Sequence, residues 1–185
     1  VVAQKGSCFS VKNLFYNVPA RRRVLETSTT EHRHIAEEFR RVAMCNPDLS
    51  FSLYGDEAPI FNVPASNLKQ RIVGLIGKST SSNLLEVGTD TSIVKLYGFT
   101  GRPSGSKQNN REQYMFVNGR YFKSPYFHKA VMQEYDKLIP SNTPPSYFLF
   151  FEGAPDKVDV NIHPQQNEGR FGEGTAIVQI TTAAA

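Results

Sequence analysis

The sequence predicts an α+β fold, because segments with the two-residue alternation of strands are interspersed with segments of helical spacing and the turn signals fix most of the joints. Three observations carry this. Asn118-Gly119 separates two short aromatic-rich segments, residues 114–117 and 120–122, and a type I′ turn needs φ > 0 at both central residues, so this is a hairpin. Ser124-Pro125 then supplies an N-cap and a first helical residue for a helix with Phe127, Ala130, Val131, Tyr135 and Leu138 on one face. After a loop holding Pro140, Pro144 and Pro145 come two apolar strands, residues 147–152 and 158–162.

The remaining elements follow in chain order. Residues 7–14 alternate as a half-buried strand, with Phe9 and Val11 on one face and Cys8, Ser10 and Lys12 on the other. Asn17 turns the chain and Pro19 opens a short helix to about Thr27. Ser28-Thr29-Thr30-Glu31 fits a capping box for a second helix, whose apolar face is Ile35, Phe39, Val42 and Ala43 and whose stop is Asn46-Pro47. Residues 49–54 and 60–63 read as strands around a Gly55-Asp56 turn, and Pro64-Ala65-Ser66 marks a boundary between domains 1–64 and 65–185. Leu68, Ile72 and Leu75 make a short helix that Gly77 ends; residues 93–99 form a strand, residues 101–110 a polar, solvent-facing loop, and a last helix starts at Gly174.

The chain has 185 residues, a formal net charge of +4, 39% hydrophobic residues and no Trp, the composition of a soluble globular protein of one or two domains. No apolar run approaches the roughly 18 residues of a membrane span. The basic excess is mild, but Arg21, Arg22, Arg23, Arg33, Arg40 and Arg41 crowd into one early region. Three of these stand at a predicted helix start, where the backbone amides are already positive and each cation costs roughly a few tenths of a kcal/mol. Two readings remain, an anion-binding site and a solvated helical face. Cys8 and Cys45 lack metal-type spacing and point to a reduced compartment. The chain opens on Val1 in apparent strand sequence, which reads as a fragment.

Several chemical motifs are only partial. Gly74-Leu75-Ile76-Gly77-Lys78-Ser79 lacks the first Gly of a P-loop, where Ile72 stands, and a helix precedes it instead of a strand. His32 and His34 lie about 200° apart around a helix and cannot share a metal. His163 and Asp159 have no Ser in nucleophile-elbow spacing, so hydrolase chemistry is disfavoured.

Taken together, Gly6-Ser7, Leu14-Phe15-Tyr16-Asn17-Val18-Pro19-Ala20-Arg21-Arg22-Arg23, Phe116-Val117-Asn118-Gly119-Arg120 and Val158-Asp159-Val160-Asn161-Ile162-His163-Pro164 resemble the MutL family of DNA mismatch repair proteins over nearly the whole chain. The resemblance implies that residues 1–64 are the C-terminal part of a GHKL-type ATPase sandwich, and that 65–185 are a ribosomal-protein-like transducer with a left-handed β-α-β crossover. It implies ATP and Mg²⁺ as cofactors of a complete protein, with Gly6 and Ser7 at the nucleotide pocket, and neither held stably by this chain. The family's Asn helix and Gly-rich lid belong upstream, so the fragment alone is expected not to hydrolyse ATP. The family's γ-phosphate Lys falls at Gln166, which supplies no charge, and Gly169 replaces an expected aliphatic residue. The implied partners are DNA, a MutS-type mismatch-recognition protein, and a second copy or a paralogue in a dimer. No membrane is implied, and the location is the bacterial cytoplasm or the eukaryotic nucleus.

DNA binding in this family is largely electrostatic. The residues expected to carry it are Arg120 and Lys123 beside the hairpin, Lys107 and Arg111 in the polar loop, and Arg22 and Arg40, with Tyr121 or Phe122 placed to stack on an unpaired base. The helix at Arg21 to Arg23 is expected to brace ATPase against transducer. Two other readings are a type II topoisomerase transducer and a ribosomal-type nucleic-acid-binding module without ATP coupling.

Overall fold

The computed structural model describes residues 5–24, 27–92, 94–106, 112–136, 138–140, 143–154, 158–159 and 170–171, the side chains of Arg22 and Val24 and those at 158–159 and 170–171 excepted. The chain divides into two compact units, Val1–Glu37 and Glu38–Ala185.

In the first unit the strand expected at residues 7–14 does not form; Phe9 and Val11 are 90% and 79% exposed. Alternation marks a face, but a strand also needs a neighbour for its N–H and C=O groups, and no strand pairs with this segment among the described residues. The chain turns at residues 13–18 instead. Tyr16 N–H donates to Asn13 O at 2.9 Å and Val18 N–H to Phe15 O at 3.1 Å, with Asn13 and Phe15 at φ 52° and 62°. Helix α1, Pro19–Val24, starts where Pro19 predicts, has no acidic residue in its first turn, and ends before Thr27.

Helix α2, Ser28–Cys45, is capped one residue earlier than the Ser28 box implies. The Thr27 hydroxyl accepts from Thr30 N–H at 3.4 Å, and Asn46 Nδ2 closes the other end on Val42 O at 2.9 Å. Its buried residues are Ala43 and Met44, with Phe39 packed beside them. Ile35 and Val42, expected on the same face, are 51% and 55% exposed, because the buried stripe runs from Phe39 through Ala43 to Met44 and is rotated away from both of them.

In the second unit β1 (Phe51–Gly55) and β2 (Ala58–Val63) form an antiparallel ribbon. Helix α3, Leu68–Ile76, is capped by the Asn67 side chain and ended by Gly77. A five-stranded sheet follows, in the order β3 (Leu84–Asp90), β4 (Val94–Gly101), β7 (Tyr147–Gly153), β5 (Gln113–Val117), β6 (Arg120–Phe122). Only β5 and β7 pair in parallel, so β6 and α4 (Pro125–Tyr135) make the crossover between them. Residues 158–159 and 170–171 form a separate short ribbon, β8–β9. The helix expected from Gly174 lies outside the described residues.

Both faces of the sheet are covered. Tyr147, Leu149 and Phe151 pack with Phe127, Val131 and Tyr135 of α4, while Phe148 and Phe150 pack with Met44 of α2 and Ile72 and Leu75 of α3. The continuous apolar run of β7 is thus a strand without a wet side.

Two positions hold this arrangement at close quarters. Gly98 in β4 sits at φ 142°, and a Cβ there would lie 2.0 Å from the Phe148 carbonyl oxygen, so no other residue fits without moving backbone. Arg71, 1% exposed on α3, donates from Nη2 to the carbonyls of Pro47 at 2.9 Å, Leu49, and Pro64 at 3.0 Å, and lies over the Phe51 ring. One guanidinium therefore ties α3 to the chain entering β1 and to the chain leaving β2. Burial holds its pKa below the usual arginine value, with nearby Asp48 working the other way.

Gly98→Ala should lower the free energy of unfolding by about 3 kcal/mol or more. Gly119→Ala, at φ 76° with open space around it, should cost only about 1 kcal/mol. Equal losses in urea titrations would contradict the close approach at Gly98. Arg71→Met leaves three part-buried carbonyls without their donor and should cost about 2 kcal/mol by the same measurement; a neutral result would show that Arg71 is not the tie.

Candidate nucleic-acid interface

The β5–β6 hairpin is anchored at its turn. Asn118 and Gly119 adopt φ 45° and 76°, the type I′ geometry that the sequence predicts. The turn is also stitched to the end of β7: Asn118 N–H donates to Phe151 O at 2.9 Å, its Nδ2 to Gly153 O at 3.1 Å, and Gly153 N–H donates back to Asn118 Oδ1 at 3.1 Å. Asparagine is used here for its amide as well as for its tolerance of positive φ.

From this anchored turn β6 runs along the sheet edge. Arg120 pairs with Val117 across the hairpin and is exposed, as is Lys123 just beyond the strand. Neither forms an ion pair with another described residue. Two cations held on a rigid edge, without carboxylates to neutralise them, are suited to phosphates.

The aromatics between them are committed elsewhere. Phe122 is 1% exposed and packs edge-on against Phe127 and Phe151, so it is core and cannot stack on a base. Tyr121 is half-buried, edge-on to Tyr114 and Phe116, with the Arg41 guanidinium 4.0 Å from its ring centroid. Arg41 also pairs with Glu38. This cation–π contact escapes the sequence because α2 and β6 are far apart in the chain; only the Glu38/Arg41 spacing hints that Arg41 is oriented.

Where β6 meets α4 there is an open groove of about 350 Å³. Met115 and Phe122 line it with Gln113, Lys123, His128 and Tyr147. Ser124 caps α4 by accepting from Phe127 N–H at 3.5 Å, which fixes the helix start beside the groove. His128 Nδ1 and the Tyr147 hydroxyl hydrogen-bond at 2.9 Å, and Gln113 Nε2 donates to Pro145 O at 3.2 Å. Burial holds the His128 pKa below its ordinary value and, with a smaller contribution from Tyr121, pushes the Tyr147 phenol up. Both rings are therefore neutral at neutral pH, and His128 offers one donor and one acceptor nitrogen.

The other predicted residues are not gathered here. Arg40 is half-buried with its guanidinium 5.2 Å from the Phe61 ring centroid, a packing role. Arg21 lies over Phe15, and neither it nor Arg23 pairs with a carboxylate among the described residues. Lys107, Arg111 and Gln166 lie outside the described residues, as does the Arg22 side chain. Gly6 and Ser7 are exposed, and nothing lies within 4 Å of a Cβ built at Gly6. Among them no three His, Cys, Asp or Glu residues could hold a metal ion, and no helix is long and apolar enough to cross a membrane. Cys45 is half-buried, and burial pushes its thiol up to about 12, which disfavours the thiolate.

The described architecture has counterparts among known proteins. A crystal structure of the N-terminal domain of a DNA repair protein superposes with a TM-score of 0.72 at 20% identity, covering 92% of this chain and 57% of that one. The ATPase domain of the bacterial mismatch repair endonuclease Aquifex aeolicus MutL superposes with a TM-score of 0.67 at 20% identity, covering 94% and 59%. At that identity these likenesses show the fold. The DNA mismatch repair protein MutL of Parabacteroides distasonis is 50% identical over 180 residues, which are 97% of this chain and 29% of that protein. The chain thus spans about three-tenths of the length of the curated relatives it matches. Residues 72–185 match the family described as DNA mismatch repair protein, C-terminal domain. With that match and identity over nearly its whole length, the chain belongs to the MutL family of DNA mismatch repair proteins.

Proposed function

We propose that this chain joins the end of an ATPase domain, residues 1–64, to a transducer domain, residues 65–185, and contacts DNA through the β5–β6 hairpin. The observation that carries the DNA contact is the pair of exposed cations, Arg120 and Lys123, on an edge anchored through Asn118 to the buried strand β7. An edge so held keeps its cations in place without the entropy cost of ordering a loop. The contacts are to phosphates and therefore carry affinity without sequence preference.

Coupling to ATP is proposed from the family and from the Aquifex relative, an ATPase domain by its description. In a protein of the relatives' length, ATP and Mg²⁺ would be bound with residues outside this chain, Gly6 and Ser7 contributing at the pocket edge. Gln166 in place of a lysine offers a hydrogen bond without charge, which weakens stabilisation of developing negative charge at phosphate. A MutS-type protein and a second MutL-type chain are the proposed partners, and the setting is intracellular.

The DNA contact is tested by fluorescence anisotropy on a duplex over a range of salt concentrations. Arg120→Ala should lower the slope of log affinity against log salt by about 1, the signature of one lost phosphate contact. Arg120→Glu should weaken binding about tenfold or more, which is about 1.4 kcal/mol. An unchanged slope and affinity in both variants would remove the hairpin from the DNA interface.

A further inference from the structure

Helix α3 buries Arg71, Ile72 and Leu75 and leaves Lys69, Gln70 and Gly74 exposed. On that outer side, between α3 and the 3₁₀ turn Lys78–Asn83 that follows Gly77, lies an open groove of about 520 Å³, within the range of ligand sites. Its floor carries no polar side chain, being formed by half-buried Val73 with Gly74 and Gly77. Gly77 has nothing within 4 Å of a Cβ built on it, so the floor is open at that end. Around the floor stand Lys69, Gln70, Lys78 and Ser81, all exposed. None of the lining residues is a carboxylate, and neither lysine forms an ion pair among the described residues.

We propose that this groove docks an acidic segment of a partner protein, an extended peptide whose carboxylates flank one aliphatic side chain. Charge complementarity sets the sign: two cations in one groove, with no carboxylate to neutralise them, call for a negatively charged occupant. The floor sets the shape, because Val73 and the two glycines offer an apolar seat that the methylene stems of the lysines extend. The rim sets the chemistry, because the Gln70 amide and the Ser81 hydroxyl both donate and accept, as the N–H and C=O groups of a peptide backbone do. A DNA strand satisfies only the first condition: its phosphate oxygens accept without donating, and its backbone has no aliphatic side chain for the floor. The site is also separate from the hairpin, since α3 covers the Phe148 and Phe150 face of the sheet and α4 the opposite one. Partner docking and the DNA contact can therefore be lost independently.

The test measures fluorescence anisotropy of a labelled peptide, Asp-Glu-Val-Glu-Asp, at low salt, against the same peptide with Ser in place of Val. The Val peptide should bind about fivefold more tightly than the Ser peptide, the difference made by partial burial of one aliphatic side chain. Lys69→Glu and Lys78→Glu should each weaken the Val peptide about fivefold, the scale of one exposed ion pair. Both lysines are exposed, and thermal unfolding of each variant confirms that it folds. Ser81→Trp, which fills the groove without changing charge, should remove the preference for Val over Ser. Arg120→Glu should leave peptide binding unchanged, which keeps the outcome apart from that of the hairpin. Absence of binding, equal binding of the Val and Ser peptides, or binding that survives both lysine reversals would overturn the proposal. So would lysine reversals that weaken duplex DNA as strongly as the peptide, because the groove would then belong to the nucleic-acid surface.

Discussion

Strand β7 has no solvent-facing side along residues 147–151, all of which are buried, and that constraint organises the rest of the second unit. A strand buried on both faces needs a cover on each. The parallel β5–β7 pairing supplies one, because a parallel neighbour requires a crossover, and α4 within it brings Phe127, Val131 and Tyr135 over Tyr147, Leu149 and Phe151. Helices α2 and α3 supply the other over Phe148 and Phe150. The close approach at Gly98 brings β4 against β7 on one side, and the Asn118 side chain fastens the hairpin to its end on the other.

The arginines show how one residue type divides its work. Arg71 is buried and turns one nitrogen, Nη2, on three main-chain carbonyls. Arg40 and Arg41 lie over aromatic rings, and Arg41 also meets Glu38. Arg120 alone of these is exposed on an anchored edge. The early crowding of arginines in the sequence is therefore a weaker pointer to nucleic acid than it looks, since in Arg40 and Arg41 much of the charge is engaged in packing, and the informative cations lie beside the hairpin.

What was legible from sequence were features with local causes. The Asn118-Gly119 turn, the Ser124-Pro125 helix start and the helix of Leu68, Ile72 and Leu75 that Gly77 ends each depend on residues within a few positions of one another, and each forms. Strand β3 was not legible: it lies at an edge, only Leu84 and Val87 are buried, and Gly88 weakens its pattern. Residues 7–14 fail for the opposite reason, since their alternation is clear and their strand is not paired. In the candidate site, Arg120 and Lys123 followed from the hairpin, whereas Gln113, His128 and Tyr147 come together only through the α4 crossover. Nothing local in their neighbourhoods marks them.

The account depends on the end of β5–β6 and the start of α4 being one rigid, DNA-facing edge. Hydrogen exchange of the chain with and without single-stranded DNA tests this most directly. The account predicts added protection concentrated at residues 118–128, with no change along the β1–β2 ribbon. Protection on β1–β2 or α3 with none at 118–128 would contradict it.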